Sequence, residues 1–154
     1  MKKLLAIIFL ACLSPFVYGQ DYKSEIEFFQ SAYGLEKKAI VENFMELEGE
    51  SATNFWTIYN EYETERQSLG KDRLSTLSDY ADQYETLTNE QADAIMLRAL
   101  AYRASNEKLL KKYYKKVKKV TDAKTAARFI QLETYLGTAI SYAIMESIPF
   151  VGEM

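Results

Sequence analysis

The sequence contains no histidine and one cysteine, Cys12, which lies close to its start. A chain without these side chains cannot build the usual zinc, copper or nickel sites, a thiol nucleophile or a histidine-based catalytic triad. Its six glycines are dispersed, so no phosphate-binding or dinucleotide-binding glycine loop is present. We therefore expect no metal site, no cofactor and no catalytic residues, and we interpret the chain as a protein that is not an enzyme.

Acidic side chains are abundant, but their spacing does not bring them together. Glu61, Glu63 and Glu65 alternate along a predicted helix, and residues two apart on a helix point in different directions. A second group is spaced by threes along one face, which favours a solvated charged face over the alternative of a weak calcium contact: Asp79, Asp82 and Glu85.

The first twenty residues have the plan of a secretory signal peptide. Lys2 and Lys3 precede an apolar run that ends at Leu13, and Gly19 precedes polar sequence. This run is shorter than the roughly 20 residues that a membrane-spanning helix needs. We predict a signal peptide over 1–19 and a single domain over 20–154, in an exported and most simply periplasmic protein. The alternative is a lipoprotein with Cys12 at its mature N-terminus.

Loss of residues 1–19 would remove two lysines and no acidic residue, which changes the formal net charge from -3 to -5. It would also remove Cys12, so the mature chain could form no disulfide. The core would then depend on packing alone.

Low glycine and proline content and many strong helix formers predict an all-α fold without a sheet. We predict an elongated arrangement of about four helices, in the form of a long helical hairpin. The predicted helices are Ser24–Met45, Ser51–Tyr84, Asn89–Lys119 and Asp122–Ile148.

Two helix starts carry capping signals. After Leu87, Thr88 can accept from free backbone N–H groups while Gln91 reaches back, which is the pattern of a capping box. Thr121 is the predicted cap of the last helix, with Asp122 in its first turn.

The third helix carries residues at alternating steps of four and three, which predicts a seam against another helix. The predicted seam is Ala92, Met96, Ala99, Arg103, Asn106, Leu110, Tyr113, Val117 and Val120.

Seven lysines lie between Lys108 and Val120. The seam leaves them on a solvated face near the helix C-terminus, where cations interact favourably with the helix dipole. Export and a net acidic chain argue against nucleic acid as a partner, whereas peripheral contact with a membrane is compatible with the run but not required. With the aromatics of the second helix, four of these lysines form our candidate protein-binding surface: Phe55, Trp56, Tyr59, Tyr62, Lys111, Lys112, Lys115 and Lys116.

The stretch LTNEQ, Leu87 to Gln91, resembles the LTxxQ motif of the Spy and CpxP family of periplasmic proteins. The runs Phe55 to Tyr62 and Ala126 to Glu133 are similar to those of uncharacterised exported helical proteins. The first resemblance implies a thin, curved antiparallel dimer that holds unfolding envelope proteins without ATP or restrains a stress-sensing kinase. Metal-sensing members use His and Met, and this chain has no His.

From these features we expect a homodimeric, exported, helical binding protein, with a chaperone-like role in envelope stress. The alternative is a structural or adaptor protein that docks one specific envelope partner. Exposure of Phe55, Trp56, Tyr59 and Tyr62 separates them, because open aromatics favour client binding and sealed ones favour a structural role.

Overall fold

The computed structural model describes residues 36–152, and all regular structure in this range is helical. Helix α1 is described over 36–45 and ends there, and three helices follow: α2 (Gly49–Gln83), α3 (Asn89–Val120) and α4 (Ala123–Ser147). A short 3-10 turn, Tyr84–Thr86, lies between α2 and α3. The predicted all-α fold is confirmed, and helix bounds agree within about two residues. The predicted signal peptide, Cys12 and residues 24–35 of the first predicted helix lie outside the described range.

The starts of α3 and α4 are both capped by side-chain oxygens that accept from free backbone amides. Thr88 Oγ1 accepts from Gln91 N at 3.2 Å while Gln91 Oε1 accepts from Thr88 N at 2.9 Å, so the predicted capping box is confirmed. At the last helix the cap is Asp122 and not Thr121, because Asp122 Oδ1 accepts from both Lys124 N and Thr125 N. The Thr125 hydroxyl also donates to Asp122 Oδ2 at 2.7 Å. This bond, followed by the bonds from the backbone amides, lowers the pKa of Asp122.

Helices α2 and α3 form a long antiparallel hairpin. Near one end Glu61 pairs with Lys116, and near the other Asp79 pairs with Arg98. At 1.5 Å per residue, α2 is about 52 Å long and α3 about 48 Å. The predicted elongated shape follows from these lengths.

Helix α4 returns along the hairpin, parallel to α2. Phe129 packs against Phe55 with ring centroids 5.6 Å apart, and Tyr80 donates to the carbonyl oxygen of Pro149 at 2.8 Å. Side-chain contacts from α2 to α4 and the residues just after it therefore run from Phe55 to Tyr80, while the backbone of α4 lies closer to that of α3.

The apolar core occupies one end of the bundle, which we call the closed end. Buried side chains come from the first half of α2, the second half of α3 and the first half of α4, and α1 adds two more. The core residues are Val41, Met45, Phe55, Tyr59, Tyr62, Leu109, Leu110, Tyr113, Val117, Ala126, Phe129, Leu132 and Leu136. The other half of the bundle, around the α2–α3 connection, is the open end.

The predicted seam of α3 is correct at the closed end and wrong at the open end. Tyr113 and Val117 are fully buried, but Met96 is 54% exposed and Arg103 is exposed as well. A straight helix drifts about 20° per heptad relative to a seven-residue repeat, so a stripe that faces its partner at one end turns away at the other. Tyr102 then lies toward α2, where the Arg73 guanidinium stacks on its ring.

Candidate functional site

The aromatic side chains singled out from the sequence form the centre of the core. The Tyr62 ring lies edge-on to Phe129, with centroids 5.3 Å apart, and edge-on to Tyr113 at 5.2 Å. Phe55, Tyr59 and Tyr62 are buried, and only Trp56 is partly exposed. The candidate binding surface is therefore wrong for these three side chains, because packing within one chain already covers them.

Helix α1 covers this aromatic cluster. Lys37, Val41 and Met45 lie four residues apart on one helix face, and all three are buried. The flanks add polar and ring contacts: Arg128 Nη2 donates to the carbonyl oxygen of Phe44 at 2.5 Å, and the Lys38 ammonium lies 5.5 Å from the Trp56 ring centroid.

Lys37 is only 1% exposed, although lysine is almost never fully buried without a partner. Its ammonium lies 2.7 Å from Glu133 Oε2 and forms a second ion pair with Glu63. The same nitrogen lies 5.0 Å from the ring centroid of Tyr62 and 5.7 Å from that of Tyr59. Two carboxylates and two aromatic faces thus surround one alkylammonium group.

The two carboxylates are also held by the helices that carry them. The Arg66 guanidinium donates two parallel hydrogen bonds of 2.9 Å to the Glu63 carboxylate, and the Tyr62 hydroxyl donates to Glu133 Oε2 at 2.6 Å. Burial by itself would raise the pKa of Glu63, but the charges of Lys37 and Arg66 outweigh it and hold that pKa below its usual value. Burial, followed by the nearby Glu133, raises the pKa of Tyr62, so its hydroxyl stays protonated and donates.

One carboxylate oxygen of Glu133 makes no hydrogen bond within the described part of the chain. Its Oε1 is buried and has no hydrogen-bond partner among residues 36–152. Buried polar atoms are normally paired, so this oxygen can accept a further donor that enters the network. The network thus holds the Lys37 ammonium between two carboxylates and beside two aromatic rings.

The lysine run divides into paired and unpaired members. Lys112 Nζ lies 2.6 Å from Glu65 Oε1, and Lys116 Nζ lies 2.6 Å from Glu61 Oε2. Glu65 also accepts from the Tyr113 hydroxyl at 2.8 Å, and these bonds, that from Lys112 first, lower the pKa of Glu65. The remaining lysines of the run are exposed, with no ion pair to another described residue: Lys108, Lys111, Lys115, Lys118 and Lys119.

The alternating acids of α2 confirm the geometric expectation. Glu61 and Glu65 face α3, whereas Glu63 faces α1. Asp79 pairs with Arg98. No cluster of three or more potential metal ligands occurs within the described residues, and in the same range no helix is both long and apolar enough to cross a membrane.

The exposed apolar side chains lie elsewhere than predicted. On α4, Tyr135, Tyr142 and Met145 are each more than half exposed and lie on one face, which we call the α4 row. On α3, Met96, Leu97 and Leu100 are about half exposed at the open end, and we call them the α3 patch. The α4 row is visible in the sequence as apolar residues spaced by seven and three, which places them on one helix face. The same spacing is typical of core residues, so the sequence alone does not show that this face is exposed.

No protein-family model, curated protein or solved structure matches this chain. The resemblance of Leu87 to Gln91 to the LTxxQ motif therefore stays a prediction.

Proposed function

We propose that this chain is an exported, noncatalytic helical protein that binds another protein through its outer surface. The observation that carries this proposal is the α4 row, in which Tyr135, Tyr142 and Met145 present large apolar side chains to solvent on one helix face. Exposed aromatic side chains of this kind are enriched at protein interfaces, where they supply contact area at low cost in conformational entropy.

Burial of Phe55, Tyr59 and Tyr62 favours an adaptor that docks one partner over a chaperone-like factor. Aromatic side chains that are buried in the folded protein cannot contact unfolded client proteins. The chaperone-like role is the second candidate, and one observation favours it. The exposed apolar side chains are spread over α1, α3, α4 and the segment 150–151, and the two methionines among them suit surfaces that adapt to varied partners.

A pull-down from envelope extract separates the two candidates. An adaptor retains one dominant folded partner, and Tyr135→Ser with Tyr142→Ser reduces the captured amount at least ten-fold. Tyr135→Phe with Tyr142→Phe, which keeps both exposed rings, is the matched control and retains capture. Many weakly held unfolded proteins, together with suppressed aggregation of a denatured client without nucleotide, would favour the chaperone-like role.

We also propose that two copies pair along the outer face of α3. This exposed face is acidic near its start, at Glu90 and Asp93, apolar at the α3 patch, and basic at Lys108 and Lys111. When two α3 helices lie antiparallel and cross near Leu100, Glu90 comes opposite Lys111 and Asp93 opposite Lys108. Such complementary charges fix the register of helix pairs around an apolar contact.

Charge reversal tests the pairing. Glu90→Lys with Asp93→Lys, or Lys108→Glu with Lys111→Glu, would each shift the protein toward monomer in sedimentation, and a mixture of the two variants would form a heterodimer. Lys118→Glu with Lys119→Glu makes the same change of charge outside the paired stretch and serves as the control. Equal sedimentation of all variants would contradict this arrangement.

A further inference from the structure

Helix α1 lies in a groove between α2 and α4 and is held there by a short repeat of side chains. In the described part of α1, the buried side chains that face the groove are Lys37, Val41 and Met45, at intervals of four residues. This is the manner in which a helix binds in the groove of a partner, with anchors on one face. The groove therefore recognises a pattern, a basic residue followed at four and eight positions by aliphatic ones.

The remaining helices retain polar partners for the groove when α1 leaves. Glu63 keeps both of its bonds to Arg66, and Glu133 keeps the Tyr62 hydroxyl. Among the described residues of α2 to α4, the groove without Lys37 contains the carboxylates of Glu63 and Glu133 and the guanidinium of Arg66, next to the rings of Tyr59 and Tyr62. An excess of negative charge beside aromatic faces favours a cation. An alkylammonium group is favoured most, because it forms charge-assisted hydrogen bonds with the carboxylates and cation–π contacts with the rings.

The short connection from α1 to α2 contains a strained residue. Glu46 adopts a left-handed backbone conformation with φ of 50°, which costs energy for a residue with a side chain. Residues 46–48 form the whole connection, so the strained residue lies at the point about which α1 would move.

We propose that α1 is a replaceable occupant of this groove, and that the groove binds a partner helix that carries a lysine with aliphatic residues four and eight positions after it. This inference rests on the proposed protein-binding function and names the chemistry of the partner. In the free protein α1 would act as an internal competitor that seals the aromatic cluster. A partner helix of matching pattern would displace it, and Phe55, Tyr59 and Tyr62 would then contact the partner.

A peptide with the sequence of residues 36–48, labelled with a fluorophore, is the probe. It is titrated into the full chain and into the full-chain double variant Val41→Asp, Met45→Asp, which disables α1 but leaves the groove intact. We expect saturable binding to the double variant, at least ten-fold weaker binding to the native chain, and loss of binding for a peptide with Lys37→Glu. The double variant Ala39→Asp, Asn43→Asp adds the same charge on exposed positions of α1 and should match the native chain.

Hydrogen exchange of the native chain provides an independent readout. Amides of α1 should exchange at least ten-fold faster than those around Tyr113 and Phe129, since α1 opens without the rest of the core. Exchange at a common rate would overturn the proposal, as would collapse of α2 to α4 in the Val41→Asp, Met45→Asp variant, or a folded variant that does not bind the peptide. These results leave capture through the α4 row unaffected, so failure of this inference is distinguishable from failure of the proposed function.

Discussion

The two ends of the bundle use the same three helices but are held together by different interactions. At the closed end, rings from α2, α3 and α4 meet edge-on within about 6 Å, and α1 covers them. At the open end, Tyr80 and Tyr84 form one ring pair with centroids 6.2 Å apart, and arginines make the polar contacts between helices. Arg73 stacks on Tyr102 and donates to Ser141 Oγ at 3.2 Å, while Arg98 pairs with Asp79 and donates to Ser75 Oγ at 3.2 Å.

This difference separates stability from surface function. Buried aromatic side chains contribute large apolar areas, whereas exposed ion pairs contribute about 0–1 kcal/mol each. The Arg98–Asp79 pair is more than 40% exposed on both sides, so it belongs to the weak class. The closed end therefore supplies most of the folding free energy, and the open end is free to carry apolar side chains on its surface.

Truncation of one large apolar side chain at each end provides the strongest test of this comparison. Phe129 is fully buried, so Phe129→Ala should lower the free energy of unfolding by about 3–5 kcal/mol. Met145, at the open end of α4 and outside the proposed α3 pairing face, is 52% exposed, so Met145→Ala should change it by less than about 0.5 kcal/mol. Urea denaturation followed by circular dichroism measures both. Similar losses for the two variants would show that the open end contributes equally to stability.

The sequence was sufficient for the parts of the fold that local chemistry decides. The helix bounds and the Thr88 capping box depend on residues a few positions apart, so composition and spacing predicted them. The partner of each helix face depends on where α4 crosses the hairpin, which spacing does not contain. For that reason the aromatics of α2 were predicted as a surface, and the α4 row was not recognised as exposed.

The Lys37 network was also beyond sequence reasoning. Lys37, Glu63 and Glu133 are common charged residues that are far apart in the chain. Only the packing of α1 over α2 and α4 brings them together. A partial signal was available, since Lys37 shares a four-residue spacing with Val41 and Met45, where a third apolar residue would be expected.

Acid should weaken the closed end through Glu63. Its pKa in the folded protein is lower than the ordinary 4.5, so its ionisation adds stability that is complete above about pH 4.5 and is lost as pH falls through the folded value. Glu63→Gln should reduce the free energy of unfolding at pH 7 by about 1–3 kcal/mol, because the buried Lys37 and Arg66 lose a charged partner. It should also flatten the decrease in stability below pH 4.5 relative to the native chain.

Urea denaturation between pH 3 and 7 measures this dependence. Glu107→Gln, which removes a carboxylate from the exposed face of α3, is the matched control and should retain the native profile. An unchanged acid profile for Glu63→Gln would show that the network does not contribute the pH dependence.

The cap at the start of α3 tests the open end. Thr88→Ala removes the acceptor for the Gln91 amide and should cost about 1 kcal/mol. Thr88→Ser keeps the hydroxyl and should restore most of the loss. Hydrogen exchange should show faster exchange in the first turn of α3, with no change around Tyr113. A loss that extends to the closed end would indicate stronger coupling between the two ends than the packing suggests.

The smallest effect is expected at Gly137, in the exposed middle of α4. An added Cβ would meet nothing within 4 Å, and the residue already lies in regular helix. Alanine loses less backbone entropy than glycine in a helix, so Gly137→Ala should raise the free energy of unfolding by about 0.5–1 kcal/mol. Gly49, whose φ is 61°, is the opposite case, and Gly49→Ala should destabilise because it forces alanine into a left-handed conformation. Gly137 is two residues from Tyr135 and so points to a different side of α4, which means that the added methyl group should leave capture through the α4 row unchanged. Weaker capture without loss of stability would instead place a second contact on the side of α4 that carries Gly137.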